Sequence, residues 1–236
     1  MKEKYILISF LIIFLCSCAT MTEKDIQMAS AHYQLGVSYL HDNNIQPAFV
    51  EFQKALELNP HDKEIHNAIG IIYLLKFEDY PKAIHHFQEA LKIDDTFSEA
   101  SNNLGLAYEK MGKFSEAIES YKKAISNPLY RNAAKALTNL GRVYYRLNKY
   151  DDAIDAYKEA IKRFSDFHLP YYGLALCYNA KGIYGDAATA ISYAITLDPR
   201  YKGDRDKAVE DLKEKKLSVR GEEEKDIVDY LEILKY

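Results

Sequence analysis

Little in this 236-residue chain could cross-link it or bend it sharply. Ten glycines and six prolines give neither a collagen-like bias nor a run of tight hairpins. Cysteine is scarcer still, with three at 16, 18 and 177, too few for a disulfide framework. Positive charge is not in excess: 31 Lys and Arg stand against 35 Asp and Glu, a net of −4. That excludes the basic footprint of a nucleic-acid binder. No glycine-rich phosphate loop, nucleophile elbow or HExxH occurs, so neither catalysis nor a cofactor is expected, and no small-molecule substrate. The seven histidines make no metal site by spacing: His61 and His66 are five apart, and the adjacent His85 and His86 face different sides of a helix.

What is present begins with Lys2 and Lys4, followed by an apolar stretch from Tyr5 to Leu15 broken only by Ser9. A spanning helix needs roughly 20 apolar residues, so this stretch has the proportions of a secretory signal peptide instead. It ends Leu15-Cys16-Ser17-Cys18, which resembles the bacterial lipoprotein box. Only Cys18 fits, because bulky Leu15 directly precedes Cys16. The resemblance implies cleavage after Ser17 and lipid, such as palmitate, on Cys18; a simple cleaved signal is the alternative. Cys177, among Leu174, Leu176 and Tyr178, then remains as a lone thiol, expected to be buried and inert.

Alanine, leucine, lysine and glutamate favour helix, and the internal periodicity decides the fold. Residues 29–62 carry Leu35-Gly36, Tyr39, Ala48, Phe52, Ala55 and Pro60 at positions 7, 8, 11, 20, 24, 27 and 32 of a 34-residue unit. The beat returns as Ile69-Gly70, Tyr73, Ala83, Phe87 and Ala90, and again as Leu104-Gly105, Tyr108, Ala117, Tyr121 and Ala124. Leu140-Gly141, Tyr144, Ala153, Tyr157 and Ala160 make a fourth copy; Leu174-Ala175, Tyr178, Ala187, Ile191, Ala194 and Pro199 make a looser fifth. This pattern is identified as the tetratricopeptide repeat. The expectation is an all-α, right-handed superhelix of five helix pairs, each with one apolar face that needs a neighbour. The units run 29–62, 63–97, 98–133, 134–167 and 168–201, after a signal at 1–17 and a lipidated tether at 18–28. Residues 202–236 should form capping helices. Gly or Ala at positions 8 and 20 lets each pair cross closely.

Two beats are stretched: "KFEDYPKA" holds one extra residue, and "NPLYRNAAKALTNLG" holds two. A lipoprotein signal, a short tether, tetratricopeptide units and this lengthened "LY" junction resemble the outer-membrane pilotins of type IV pilus biogenesis. That resemblance implies a lipid-anchored protein on the periplasmic face of the bacterial outer membrane that helps a secretin subunit reach its place and assemble. The family usually carries six units, and residues 202–236 give no recognisable sixth.

Positions 2, 5, 9 and 12 of each first helix should line the concave wall. Tyr33, Val37, Leu40, Ile71 and Leu74 then make an apolar mouth over the first two units. Asn67, Asn102, Asn103 and Asn139 offer amides able to meet a peptide backbone without reading its sequence, and Arg142 turns the fourth unit basic. These ten residues are the expected partner-binding set, suited to an apolar or amphipathic protein segment. Packing against neighbouring units or against residues 19–28 is the competing use for them. In the tail, Gly221 breaks a polar helix over 202–216, and Ile227, Leu231 and Leu234 form a stripe beside Val228, expected to fold back onto the last unit. The chain reads as a tethered adaptor; a scaffold for cell-wall enzymes is the other assembly such a surface would serve.

Overall fold

The computed structural model describes residues 21–236, so the signal stretch and Cys18 lie outside the described residues. Twelve helices and no strands occur among them. Five antiparallel pairs come first: α1 (Glu23–His41) with α2 (Ile45–Leu58), α3 (Lys63–Leu75) with α4 (Tyr80–Ile93), α5 (Ser98–Lys110) with α6 (Phe114–Ser126), α7 (Ala133–Arg146) with α8 (Tyr150–Arg163), and α9 (Leu169–Ala180) with α10 (Tyr184–Leu197). Two tail helices follow, α11 (Arg205–Ser218) and α12 (Glu222–Ile233).

Four helices, α1, α3, α4 and α11, open on a side-chain cap. Asp62 accepts from the Glu64 and Ile65 amides, and Asp204 from that of Lys207, which occupies donors the first turn leaves unbonded. Within a pair, the turn passes through one left-handed residue: Asn43, Gly112, Asn148 or Gly182, with φ between 58° and 73°. Gly and Asn are the residues that tolerate this region best. The second pair puts Glu78 there, at φ 53°, and spends its extra residue before Asp79 caps α4 and Pro81 opens it.

The glycine beat has a direct steric cause. A Cβ on Gly36 would lie 2.7 Å from the Phe52 ring, on Gly70 2.6 Å from Phe87, on Gly105 2.7 Å from Tyr121 and on Gly141 2.7 Å from Tyr157. Each position-24 ring therefore packs directly against the position-8 glycine of its own unit. In the fifth unit, where Ala175 replaces glycine, the facing residue is Ile191 rather than a ring. The alanines at position 20 are sealed: Ala48, Ala83, Ala117, Ala153 and Ala187 all have no exposed surface.

Helix α1 begins earlier than the tether expectation allows. Thr22 Oγ1 accepts from the Asp25 amide at 3.1 Å, while Asp25 accepts from the Thr22 amide at 2.9 Å. This reciprocal box starts the helix at Glu23, so residues 23–28 are helical rather than linker. In the stretched third junction, the two residues of "LY" part company: Tyr130 packs onto Ala124, Ala133 and Ala136, whereas Leu129 is 85% exposed.

The tail does more than close the stack's end. Gly221, at φ 68°, turns the chain, and α12 runs back over α9 and α10. Asp226 and Glu222 at its start reach Arg146 at the end of α7, so it spans onto the fourth unit as well as the fifth. The buried side chains are Ile227, Ile233 and Leu234; Leu231 is half-buried and Val228 exposed. The buried stripe is therefore tilted from the expected one, because the final turn carries Ile233 and Leu234 together onto the α9–α10 core.

Candidate functional site: the concave face

The two halves of the concave face differ. Over the first two units, among the described residues, it is open and apolar. Val37 is 40% exposed; Tyr33, Leu40 and Ile71 are half-buried, Tyr33 resting against Phe52 with ring centres 5.6 Å apart. Leu74 is placed differently from the expectation: only 3% exposed, it packs with Phe87 and Leu104 in the core between the second and third units. It is a packing residue, out of reach of a partner. The early start of α1 adds a residue that the unit boundary concealed. Ile26, 44% exposed, lies eleven residues before Val37, three helical turns along the same stripe. The Thr22–Asp25 box was the signal that could have revealed it.

Along the middle of the face the four asparagines bond to one another. Asn103 donates to Asn67 at 3.0 Å, Asn102 to Asn103 at 3.4 Å, and Asn139 to Asn102 at 3.2 Å. A carboxamide has two donor hydrogens and two acceptor lone pairs, so this ladder, which crosses three units, leaves part of each amide's capacity free. Arg142 is committed rather than free. It grips Glu109 of the preceding unit through two bonds of 2.7 and 2.9 Å, and the Tyr121 hydroxyl donates to the same carboxylate at 2.8 Å. Burial and that shared carboxylate push the Tyr121 hydroxyl far above the ordinary phenol range.

Over the last two units the face is covered. Helix α12 and part of α11 close a cavity of about 480 Å³ against the α7 and α9 wall. Asn102, Asn139 and Arg142 border it, so it continues the asparagine ladder. Of the charged groups that line it, Asp226 pairs with Arg146 and Arg200 pairs with the fully buried Asp198.

The remaining candidate groups are structural. Cys177 is fully buried, and burial pushes its thiol up to about 12. His32 bonds Glu51 at 2.6 Å. His66 donates to the Pro60 carbonyl at 3.1 Å and meets His86 at 3.2 Å, Nδ1 to Nδ1. Among the described residues no cluster of three metal-ligating side chains forms, and no helix is long and apolar enough to cross a membrane.

Comparison with known proteins agrees with this geometry. The chain matches the tetratricopeptide-repeat family over residues 29–62, 78–112, 98–166 and 138–202. It is 31% identical over 101 residues to the type IV pilus assembly protein PilF of Pseudomonas aeruginosa, a stretch that is 42% of this chain and 39% of that one. An uncharacterised Haemophilus influenzae protein is 28% identical over 109 residues, 45% of this chain and 59% of its own length. These matched stretches span less than two thirds of either relative. Among solved structures, Pseudomonas aeruginosa PilF superposes with a TM-score of 0.68 at 21% identity, covering 90% of this chain and 99% of that one. PilW, described as a widely conserved type IV pilus biogenesis factor, gives 0.71 at 20% identity over 86% and 90%. YrrB, a repeat protein with an unusual peptide-binding site, gives 0.58 at 20% over 81% and 94%. At these identities the superpositions speak for the fold; with the repeated sequence matches and the twelve-helix stack, they show that this chain belongs to the tetratricopeptide-repeat family, in a form that resembles the pilus biogenesis factors.

Proposed function

We propose that this chain is a non-catalytic, lipid-anchored adaptor that binds an apolar or amphipathic segment of another protein in the open half of its groove. The carrying observation is the contrast between that half, where Ile26, Val37, Tyr33 and Ile71 present unpaired apolar surface, and the covered half beyond it. Apolar stripes three to four residues apart suit an amphipathic helix or an extended segment. The sequence similarity to PilF and the lengthened "LY" junction support a pilotin role: assisting an outer-membrane secretin in type IV pilus biogenesis. A lipid on Cys18 would hold the protein at the periplasmic face. With α1 starting at Glu23, the four residues between Cys18 and that helix span at most roughly 15 Å, so the open groove would work against the bilayer surface.

The test is a pull-down from membranes with the full chain, scored for secretin against cell-wall enzymes. Secretin recovered by the parent chain and lost with Val37→Glu or Ile71→Glu supports the reading. Recovery of wall enzymes instead marks a cell-wall scaffold. Capture unaffected by either substitution overturns the groove as the binding surface. For the anchor, Cys18→Ser should abolish incorporation of labelled palmitate and release the protein from the membrane fraction; unchanged labelling would assign the lipid elsewhere.

A further inference from the structure

The cavity between the concave wall and the tail helices carries a second, separate feature. In the first two units the ring on the position-8 glycine is a phenylalanine, Phe52 or Phe87; in the fourth it is Tyr157. Gly173, on α9, clears the way for the tip of that ring: a Cβ there would lie 2.2 Å from Tyr157 Cζ. Tyr157 and Gly173 both line the cavity. Tyr157 is 3% exposed and Tyr145, also lining it, is 7% exposed. Among the described residues, neither hydroxyl has a hydrogen-bond partner, unlike those of Tyr121, Tyr172 and Tyr201. Neither hydroxyl is sealed: among those residues the buried side-chain polar atoms without a partner are Ser101 Oγ and Asn179 Oδ1, so both phenols keep access to the cavity and are free to bond a guest. These two side chains are more than nine-tenths buried and line a space of about 480 Å³.

The rest of the lining says what would fill it. Tyr172, Tyr201, Tyr230 and Phe167 complete an aromatic wall, and Leu176 and Ile227 give it an aliphatic side. Aromatic guests gain edge-to-face contact in such a setting. Charge in the wall is nearly balanced, with Lys135, Arg142, Arg200 and Lys215 against Asp211, Glu223 and Asp226, and all but Lys135 have an ionic partner. A neutral guest fits such a wall better than an ion. Phenol hydroxyls and the Asn102 and Asn139 carboxamides both donate and accept, which matches an amide.

We infer that this cavity is a binding site for an aromatic side chain on a peptide backbone, its flanking amide held by the Tyr145 and Tyr157 hydroxyls and the tail helices forming its outer wall. The inference rests on the peptide-binding reading of the groove and gives the partner segment a second anchor, reached along the asparagine ladder. It makes α12 a working part of the site rather than only a cap.

The probe is N-acetyl-phenylalaninamide, titrated into the full chain labelled on its tyrosine rings and followed by NMR. The ring signals of Tyr145 and Tyr157 should shift, with the free acid N-acetyl-phenylalanine binding no better and N-acetyl-leucinamide weaker by roughly tenfold. The double variant Tyr145→Phe/Tyr157→Phe, which keeps both rings for packing, should lose about tenfold in affinity for the aromatic amide. Val37→Glu should leave this binding unchanged, which separates failure here from failure of the groove mouth. No shift at millimolar probe overturns the inference. So does tighter binding of the free acid, which would mark an anion site, or equal binding by the double variant.

Discussion

At the scale of single residues, the most confined contacts are those between glycine and ring. Because a Cβ at Gly105 would meet the Tyr121 ring at 2.7 Å, Gly105→Val must push apart two helices packed at interior density. We expect a loss of about 1–3 kcal/mol in denaturant unfolding, and Tyr121→Leu in the same chain should recover part of it, a coupling that a double-mutant cycle reads directly. The His66–His86 contact behaves differently because it titrates. His66 donates from Nε2 to Pro60, so its Nδ1 accepts from His86, an arrangement that requires a neutral His66. Burial, then the neighbouring His66 and His85, lower His86 to about 4; burial also lowers His66. A ring whose folded value is depressed contributes stability that is complete above the unfolded value near 6.5 and is lost as pH falls toward 4. Stability should therefore drop by about 1 kcal/mol between pH 7 and pH 5 from His86, once the screening of its partly exposed ring by water is allowed for. His86→Gln should flatten that part of the pH profile in urea titrations.

At the scale of elements, the repeat helices were legible in the sequence because the first four units solve the same packing problem with the same residues, glycine against a ring, alanine at the crossing and tyrosine at the seam, and the fifth keeps the alanine and the tyrosine. The wall residues were legible as positions but not as contacts. Spacing put Asn67, Asn102, Asn103 and Asn139 on one face; nothing in a single chain says that carboxamides 36 or 37 residues apart bond to each other. Leu74 fell on the groove stripe by periodicity, yet the superhelical twist turns it into the seam with Leu104. The placement of α12 was hidden for a related reason. Its apolar stripe announces that it docks, but the partner that fixes its position is Arg146, 80 residues upstream of Asp226. Desolvation raises Asp226 while Arg146 holds it down, so the pair is worth far less intact than its loss would cost. Arg146→Ala should leave Asp226 unpaired beneath α12 and speed amide exchange in residues 222–233 by about tenfold or more. Exchange in α1–α6 should stay unchanged, and equal protection of α12 would show that its apolar contacts suffice alone.

At the scale of the whole molecule, a stack in which each unit touches only its neighbours has a stability made of unit terms and interface terms, and its two ends are unlike. At the far end, α11 and α12 cover the largest of the core clusters, which gathers residues from α7 through α12. At the near end, among the described residues, no helix packs on the outer side of α1. Leu35, at position 7, is 43% exposed, while its counterparts Ile69, Leu104, Leu140 and Leu174 are 1–8% exposed. Among the described residues the interface term is therefore weakest at the first unit and reinforced at the last, so opening should begin at α1 and α2. A chain cut before Lys202 would reverse that order. It would strip the cover from Ile191, Ile195 and Leu176 and leave the fifth unit as the weaker end. Native-state hydrogen exchange checks this: in the full chain protection should rise from α1 toward α9, and in the shortened chain it should peak at α5–α7 and fall toward both ends. A uniform loss of protection would mean that the stack opens as one cooperative block, and the unequal ends would then have no bearing on which part of the groove is free to receive a partner.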